Sequence, residues 1–223
     1  MEIEPIARVE TCYPEKFGVP RQPGLVKQAW GRIIFEESYR AENFIRGIEG
    51  FSHLWIVFHF HLASQRKGKE TVRPPRLGGN ERVGVFASRA PFRPNNLGLS
   101  VVELVEVDYA SLDGPVLKIR GADLVSGTPV MDIKPYVPFC DSVPSAIGGF
   151  VDGEPVRMEV AWCSSCIVPE MSRTVIEQTL ALDPRPAYHV DLEREYGCEI
   201  DGYAVRWRVE QGVVKIFACE PSQ

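Results

Sequence analysis

Apolar positions along the 223-residue chain fall mostly into short runs broken by proline and glycine. The strongest run, His53 to Leu62, reads His-Leu-Trp-Ile-Val-Phe-His-Phe-His-Leu. It is rich in β-branched and aromatic residues, which predicts a central strand. Further strands are predicted over Ile3–Glu10, Gly31–Glu36, Val83–Ser88, Leu99–Asp108, Val116–Leu124 and Val130–Val137. Leu112-Asp113-Gly114-Pro115 and Ser126-Gly127-Thr128-Pro129 form turns between the later ones. Tyr39–Ile48 is a short helix candidate, with Glu42 near its start and Arg46 near its end, as the helix dipole prefers. Pro14–Gly24, with Gly18, Pro20, Pro23 and Gly24, reads as a long ordered loop. Many short strands with hardly any helix between them predict a barrel or a sandwich, not a parallel βαβ sheet.

The pattern changes after Ser142. Pro144–Pro155 is small, polar and glycine-rich, as a linker would be. Pro169–Leu182 carries the best helical periodicity, with Val175, Ile176 and Leu180 on one side, and Asp183-Pro184-Arg185-Pro186 stops it. Tyr203–Val209 and Val213–Ala218 around Gln211-Gly212 predict a hairpin. The expectation is a mainly β chain: a β domain over residues 1–143 and a small α+β domain over 144–223.

Composition adds little: 44% hydrophobic and 25% charged residues are ordinary for a globular chain with a sizeable core. Charge adds more. The net charge is −5, yet the window Arg66–Arg93 holds eight basic residues (Arg66, Lys67, Lys69, Arg73, Arg76, Arg82, Arg89, Arg93) against Glu70 and Glu81. A local basic surface on an acidic protein suits a specific anionic partner or a solvated loop. No apolar run reaches the ~20 residues that span a membrane, and no basic apolar leader opens the chain. The expected compartment is the cytoplasm, where Cys12, Cys140, Cys163, Cys166, Cys198 and Cys219 are reduced thiols. Cys163 and Cys166 form a C-x-x-C without a second ligand pair, so a metal or redox role has little support.

Signatures of dinucleotide, nucleoside-triphosphate, zinc-protease and serine-hydrolase sites are absent. His53, His59 and His61 share strand parity and could face a metal, or pack and hydrogen-bond at the rim of a cavity. Ser88–Ser100 holds Pro91, Pro94 and Gly98, with Arg89 and Arg93 on either side of Phe92. A stiff loop of this kind pre-positions its donors for a ligand or is simply a rigid connection. Asp132, Lys134 and Tyr136 share parity too, as a catalytic face or a structural ion pair beside a satisfied phenol. Arg206-Trp207-Arg208 would put two arginines on one strand face opposite the indole.

These segments resemble the TrmO (TsaA/YaeB-like) family of tRNA methyltransferases. The similarity runs through Lys16–Leu25, Gly50–Trp55, Thr71–Asn80, Arg89–Gly98 and Gly127–Pro138, and continues in Asp183–Tyr188 and Val205–Val209. Asn96-Leu97 departs from the Pro-Ile usual in the family, and the stretch between Ser142 and Glu170 is short for it. The resemblance implies a β-barrel enzyme, not a Rossmann fold, that methylates N6 of N6-threonylcarbamoyladenosine at position 37, beside the tRNA anticodon. It implies S-adenosylmethionine as cofactor and a homodimer with the cofactor near the subunit interface. Cofactor contacts carry over to Pro23, Gly24, Leu25, His61, Leu62, Arg89, Leu99 and the turn Gly127, Thr128, Pro129, Val130.

Displacement at a sulfonium methyl needs no metal. It needs the nitrogen placed in line and relieved of its proton. Asp132 and Tyr136 are the candidate bases, and Lys134 the candidate partner of a carboxylate or phosphate. The basic window and Arg206-Trp207-Arg208 would meet RNA phosphates and bases. Two other classes stay open. Turnover of S-adenosylmethionine would exclude a noncatalytic RNA-binding barrel, and metal analysis of the purified protein would discriminate a metal-dependent hydrolase using the three histidines.

Overall fold

A computed structural model describes residues 2–63, 69–186 and 194–222. Six strands close into an antiparallel barrel: β1 (Ala7–Thr11), β2 (Trp30–Phe35), β3 (His53–His59), β6 (Leu97–Asp108), β7 (Val116–Arg120) and β8 (Thr128–Pro135). Their order around the barrel is β1-β2-β7-β6-β3-β8. Among the described residues, the two-residue strands β4 (Thr71–Val72) and β5 (Val83–Gly84) pair only with each other. The mainly β expectation, with a barrel in the first part of the chain, is what the structure shows.

The alternation that predicts the strands also sets the barrel's inside. Leu54, Ile56 and Phe58 of β3 are buried in the core with Val9, Ile33, Ile119 and Val130. His53, Trp55, Val57 and His59 point the other way and are only partly covered. Phe58 lies against Gly98 on β6, where an added Cβ would sit 2.2 Å from the ring. The glycine that ends the stiff loop is therefore required by close approach of the ring.

A second sheet, β10-β11-β12-β9, is built from β9 (Glu159–Trp162), β10 (Tyr196–Ile200), β11 (Tyr203–Glu210) and β12 (Val213–Pro221). After a single helical turn, α1 (Pro138–Asp141), the longer helix α2 (Glu170–Leu180) buries Val175, Ile176, Thr179 and Leu180 against it. This core is completed from the far end of the chain. Cys12, Tyr13, Val26 and Ala29, between β1 and β2, pack into it. Phe17 stacks on Trp207 at 5.8 Å, and the Tyr13 hydroxyl meets Thr179 Oγ1 at 3.0 Å. Trp30 donates its indole N–H to Asp201 at 2.6 Å. The Lys16–Leu25 stretch is thus pinned between barrel and second sheet rather than left as a free loop.

Two expectations are corrected. Tyr39–Ile48 is not a helix but lies within three short 3₁₀ turns, Glu37–Tyr39, Glu42–Phe44 and Ile48–Gly50. Only Ile45 of that stretch is buried, so no apolar stripe pays for a longer helix, and Gly47 breaks it with φ +86°. Val83–Ser88 is a strand for only two residues before Val85–Ala87 turns as a 3₁₀ helix. Strands β9 and β10 were not predicted. The stretch over residues 142–155 is almost wholly exposed, as a linker composition suggests.

Candidate active site

Between the outer face of β3 and β6, the 19–25 segment and the 87–93 loop lies an open cleft of about 2580 Å³. Three structural facts shape it. The Gly24 N–H donates to Gly121 O at 2.9 Å, and φ of +74° at Gly24 allows that turn. Arg89 Nη1 donates to Gln22 Oε1 at 2.5 Å, which joins the two loops across the cleft. The 88–96 loop braces itself. Arg93 Nη1 donates to Ser88 O at 2.7 Å, and Asn96 Nδ2 donates to Pro91 O at 2.7 Å. Asn96 holds φ +50°, a conformation asparagine tolerates better than most residues, so the departure from Pro-Ile leaves a closed loop here.

Of the cofactor contacts implied by resemblance, Pro23, Leu25, His61, Leu62, Arg89, Leu99 and Thr128 line this cleft. Gly24 supports it from behind through its bond to Gly121. Gly127 opens onto a separate small hollow beside Arg8 and Glu10, and Val130 is fully inside the barrel core. Pro129 pairs with Arg8 on β1 and lines neither. Burial, then the charges of His59 and Arg8, holds His61 below the usual imidazole range, so it presents a neutral ring.

Tyr136 lines the cleft beside His53 and Trp55, at ring distances of 6.3 and 5.9 Å. Asp132 and Lys134 do not. They form an ion pair at 2.9 Å on the barrel's outer face, where register sets them beside Val57 and Trp55 of the cleft wall. His53 and His59 lie at opposite ends of β3, six residues apart, or roughly 20 Å along a strand. They cannot close on one ion, and among the described residues no group of three metal-ligating side chains forms.

The basic window gathers in one place. All six of its described members, Lys69, Arg73, Arg76, Arg82, Arg89 and Arg93, line the cleft, joined by Lys16 and Arg21. Arg66 and Lys67 lie outside the described residues. Only Asp123, Asp141 and Glu154 among the described lining residues are acidic. Asp141 is occupied: it accepts from the Val137 N–H at 2.8 Å and the Trp55 indole at 2.9 Å.

Asp123 was not singled out in the sequence. It sits where the chain leaves β7, with Oδ1 accepting from Ser100 Oγ at 2.6 Å. Burial pushes its carboxyl up to about 6, partly offset by Ser100, its own backbone and the charge of Arg89. Its signal could not be read locally, because Ser100 is 23 residues away on β6.

Arg206-Trp207-Arg208 takes another form. Trp207 is fully buried on β11, while Arg206 pairs with Glu195 at 2.7 Å and Arg208 pairs with Glu210. Alternation along the strand separates indole from arginines as expected, but each arginine has an acidic partner.

The family described as "tRNA-methyltransferase O N-terminal domain" matches residues 8–142, and "TrmO C-terminal domain" matches residues 156–222. A protein of Escherichia coli (strain K12) named tRNA (adenine(37)-N6)-methyltransferase is 44% identical over 232 residues, covering 99% of this chain and 98% of its own. A Pseudomonas aeruginosa protein named "Putative S-adenosylmethionine-dependent methyltransferase RcsF" is 40% identical over 215 residues, covering 92% of this chain and 91% of its own. The solved structure titled "Crystal structure of TrmO from Pseudomonas aeruginosa" superposes with a TM-score of 0.78 at 31% identity, covering 98% of this chain and 97% of that one. With two matched regions spanning barrel and second sheet, this chain belongs to the TrmO family.

Proposed function

We propose that this protein transfers a methyl group from S-adenosylmethionine to N6 of N6-threonylcarbamoyladenosine at position 37 of tRNA. The carrying observation is the cleft: among its described lining residues, eight basic side chains face three acidic ones in a protein of net charge −5. Such a cleft concentrates a polyanion locally while the remaining surface repels it. The relatives' names supply the adenine-37 and S-adenosylmethionine readings.

The residues present suit that cofactor. Leu25, Leu62, Leu99 and the neutral His61 ring offer apolar walls for a nucleoside, and Arg89 offers a donor to a carboxylate. When bound, S-adenosylmethionine supplies a methyl group on a sulfonium. The protein's part is to hold the accepting nitrogen in line, keep water out and take up a proton. Asp132 and Tyr136 are the proposed acceptors of that proton, with Lys134 the partner of a carboxylate or phosphate. Register beside Val57 and Trp55 supports this assignment.

The proposal includes a homodimer whose interface covers the barrel's outer face, where Leu99 is 52% exposed and Val57 and Val101 are half-buried. It also includes action on the anticodon region in the cytoplasm, and a division of the chain at 143/144. Among the described residues, no helix is long and apolar enough to cross a membrane. The test is nucleoside mass spectrometry of tRNA from cells with and without the protein. Loss of a methylated N6-threonylcarbamoyladenosine, restored by complementation, supports the reading; an unchanged profile refutes it.

A further inference from the structure

Asp123 is the enclosed carboxylate among the cleft's described acidic residues. Its carboxyl is enclosed by protein, although the residue keeps some access to solvent through the cleft it lines. Ser100, itself 1% exposed, is the one side chain hydrogen-bonded to it among the described residues. The charged group acting on it is Arg89, from the braced loop, and its own charge raises the pKa of the buried Tyr13 phenol in the segment after β1. Arg89 acts through space, because its guanidinium is bonded to Gln22. A buried carboxylate without a hydrogen-bonded cation bears a desolvation cost that a bound cation relieves.

We infer that Asp123 receives the α-ammonium group of the bound S-adenosylmethionine, while Arg89 takes the carboxylate of the same amino-acid end. The inference rests on the cofactor reading above. Position supports it: Ser100 adjoins Leu99, and Leu99, Thr128 and Asp123 line the same cleft as Arg89. Charge selects the ammonium. Ribose and adenine offer only neutral donors, whereas the methionyl end carries an ammonium and a carboxylate besides the sulfonium, and Asp123 and Arg89 supply one group of each opposite sign; S-adenosylhomocysteine, which lacks the sulfonium, separates the two cations. A purely structural Asp123, tying β6 to the chain after β7, would serve as well as asparagine, which keeps an acceptor for Ser100.

The experiment is calorimetric titration of the parent and Asp123→Asn with S-adenosylmethionine, S-adenosylhomocysteine and 5′-methylthioadenosine, with folding checked by thermal denaturation. The first two ligands keep the ammonium and the third lacks it. The expected result is a loss of about tenfold or more for both ammonium-bearing ligands and none for methylthioadenosine. Equal binding by parent and variant, a loss confined to S-adenosylmethionine, or an equal loss for methylthioadenosine overturns the inference. A parent that binds none of the three removes the cofactor reading itself. Should the variant not fold, the parent is titrated from pH 7 to pH 5. Affinity for S-adenosylhomocysteine must then fall relative to methylthioadenosine, which controls for His61 in the same cleft; parallel behaviour overturns the inference.

Discussion

Two segments of this chain set arginines around an aromatic residue, and they meet opposite fates. In Arg89–Arg93 the backbone is a braced loop, so Arg89 reaches across a cleft to a neutral glutamine while Arg93 ties the loop to itself. In Arg206–Arg208 the backbone is a strand, so Trp207 is driven into the core and each arginine outside it pairs with a glutamate. Residue types alone do not make a site. Backbone period decides which side of the sheet a group faces, and neighbouring charge decides whether it is available.

The largest effect that could break this comparison lies at Trp207. Replacing it by alanine empties the centre of a core shared by β11, α2 and Phe17. The expected destabilisation is about 3–5 kcal/mol in chemical denaturation, enough to unfold the second sheet. A variant that keeps its stability yet loses tRNA binding would mean the indole stacks on a base instead.

Arg89→Ala comes next. Its loss should weaken S-adenosylmethionine binding about tenfold or more, with the melting temperature nearly unchanged, because its hydrogen bond among the described residues, to Gln22, is exposed. Calorimetry alongside thermal melting checks both halves.

Asp123→Asn should raise stability while it lowers function. The folded carboxyl sits at about 6 against an ordinary 3.8, so the native state holds its proton more tightly than the unfolded chain. The favourable contribution of this group is therefore full below about pH 4 and lost as pH rises through 6. At pH 7 the asparagine variant should be more stable by roughly 3 kcal/mol, and the gain should vanish near pH 4. Denaturant melts at the two pH values decide it; equal stability at pH 7 would mean the carboxylate is well compensated in the fold.

The smallest effects belong to the paired arginines. Arg206→Ala and Arg208→Ala should each cost no more than about 1 kcal/mol. Both should leave tRNA affinity and its salt slope near the parent's. Arg73→Ala in the cleft should instead lower the salt slope by about one. A reversal, with the strand arginines moving the slope and Arg73 silent, would put the RNA surface on the second sheet.

The barrel was legible because each strand carries its own alternation: His53–His59 shows one apolar face whatever surrounds it. Edge strand β9 was not legible, for Glu159–Trp162 is short, pairs in parallel with β12 and buries neither face fully. The helix expected over Tyr39–Ile48 failed because charges placed to suit a dipole cannot replace a buried stripe. Composition located a break near Ser142, but it could not show that Tyr13, Val26 and Ala29 pack with residues more than a hundred positions later. In the cleft, the stiff loop around Arg89 was legible from its prolines. Asp123 was not, since nothing next to it in sequence reveals that it is buried or that Ser100 is its partner.

The central claim is that the cleft joining the 19–25 and 87–93 loops is where methyl transfer to tRNA occurs. The direct measurement uses purified protein, S-adenosylmethionine with a labelled methyl group, and tRNA carrying N6-threonylcarbamoyladenosine, digested to nucleosides and resolved by mass spectrometry. The account predicts label in that one nucleoside with the parent protein and little with Arg89→Ala at limiting cofactor. Label in another nucleoside, or equal labelling by the parent and Arg89→Ala at limiting cofactor, would contradict it.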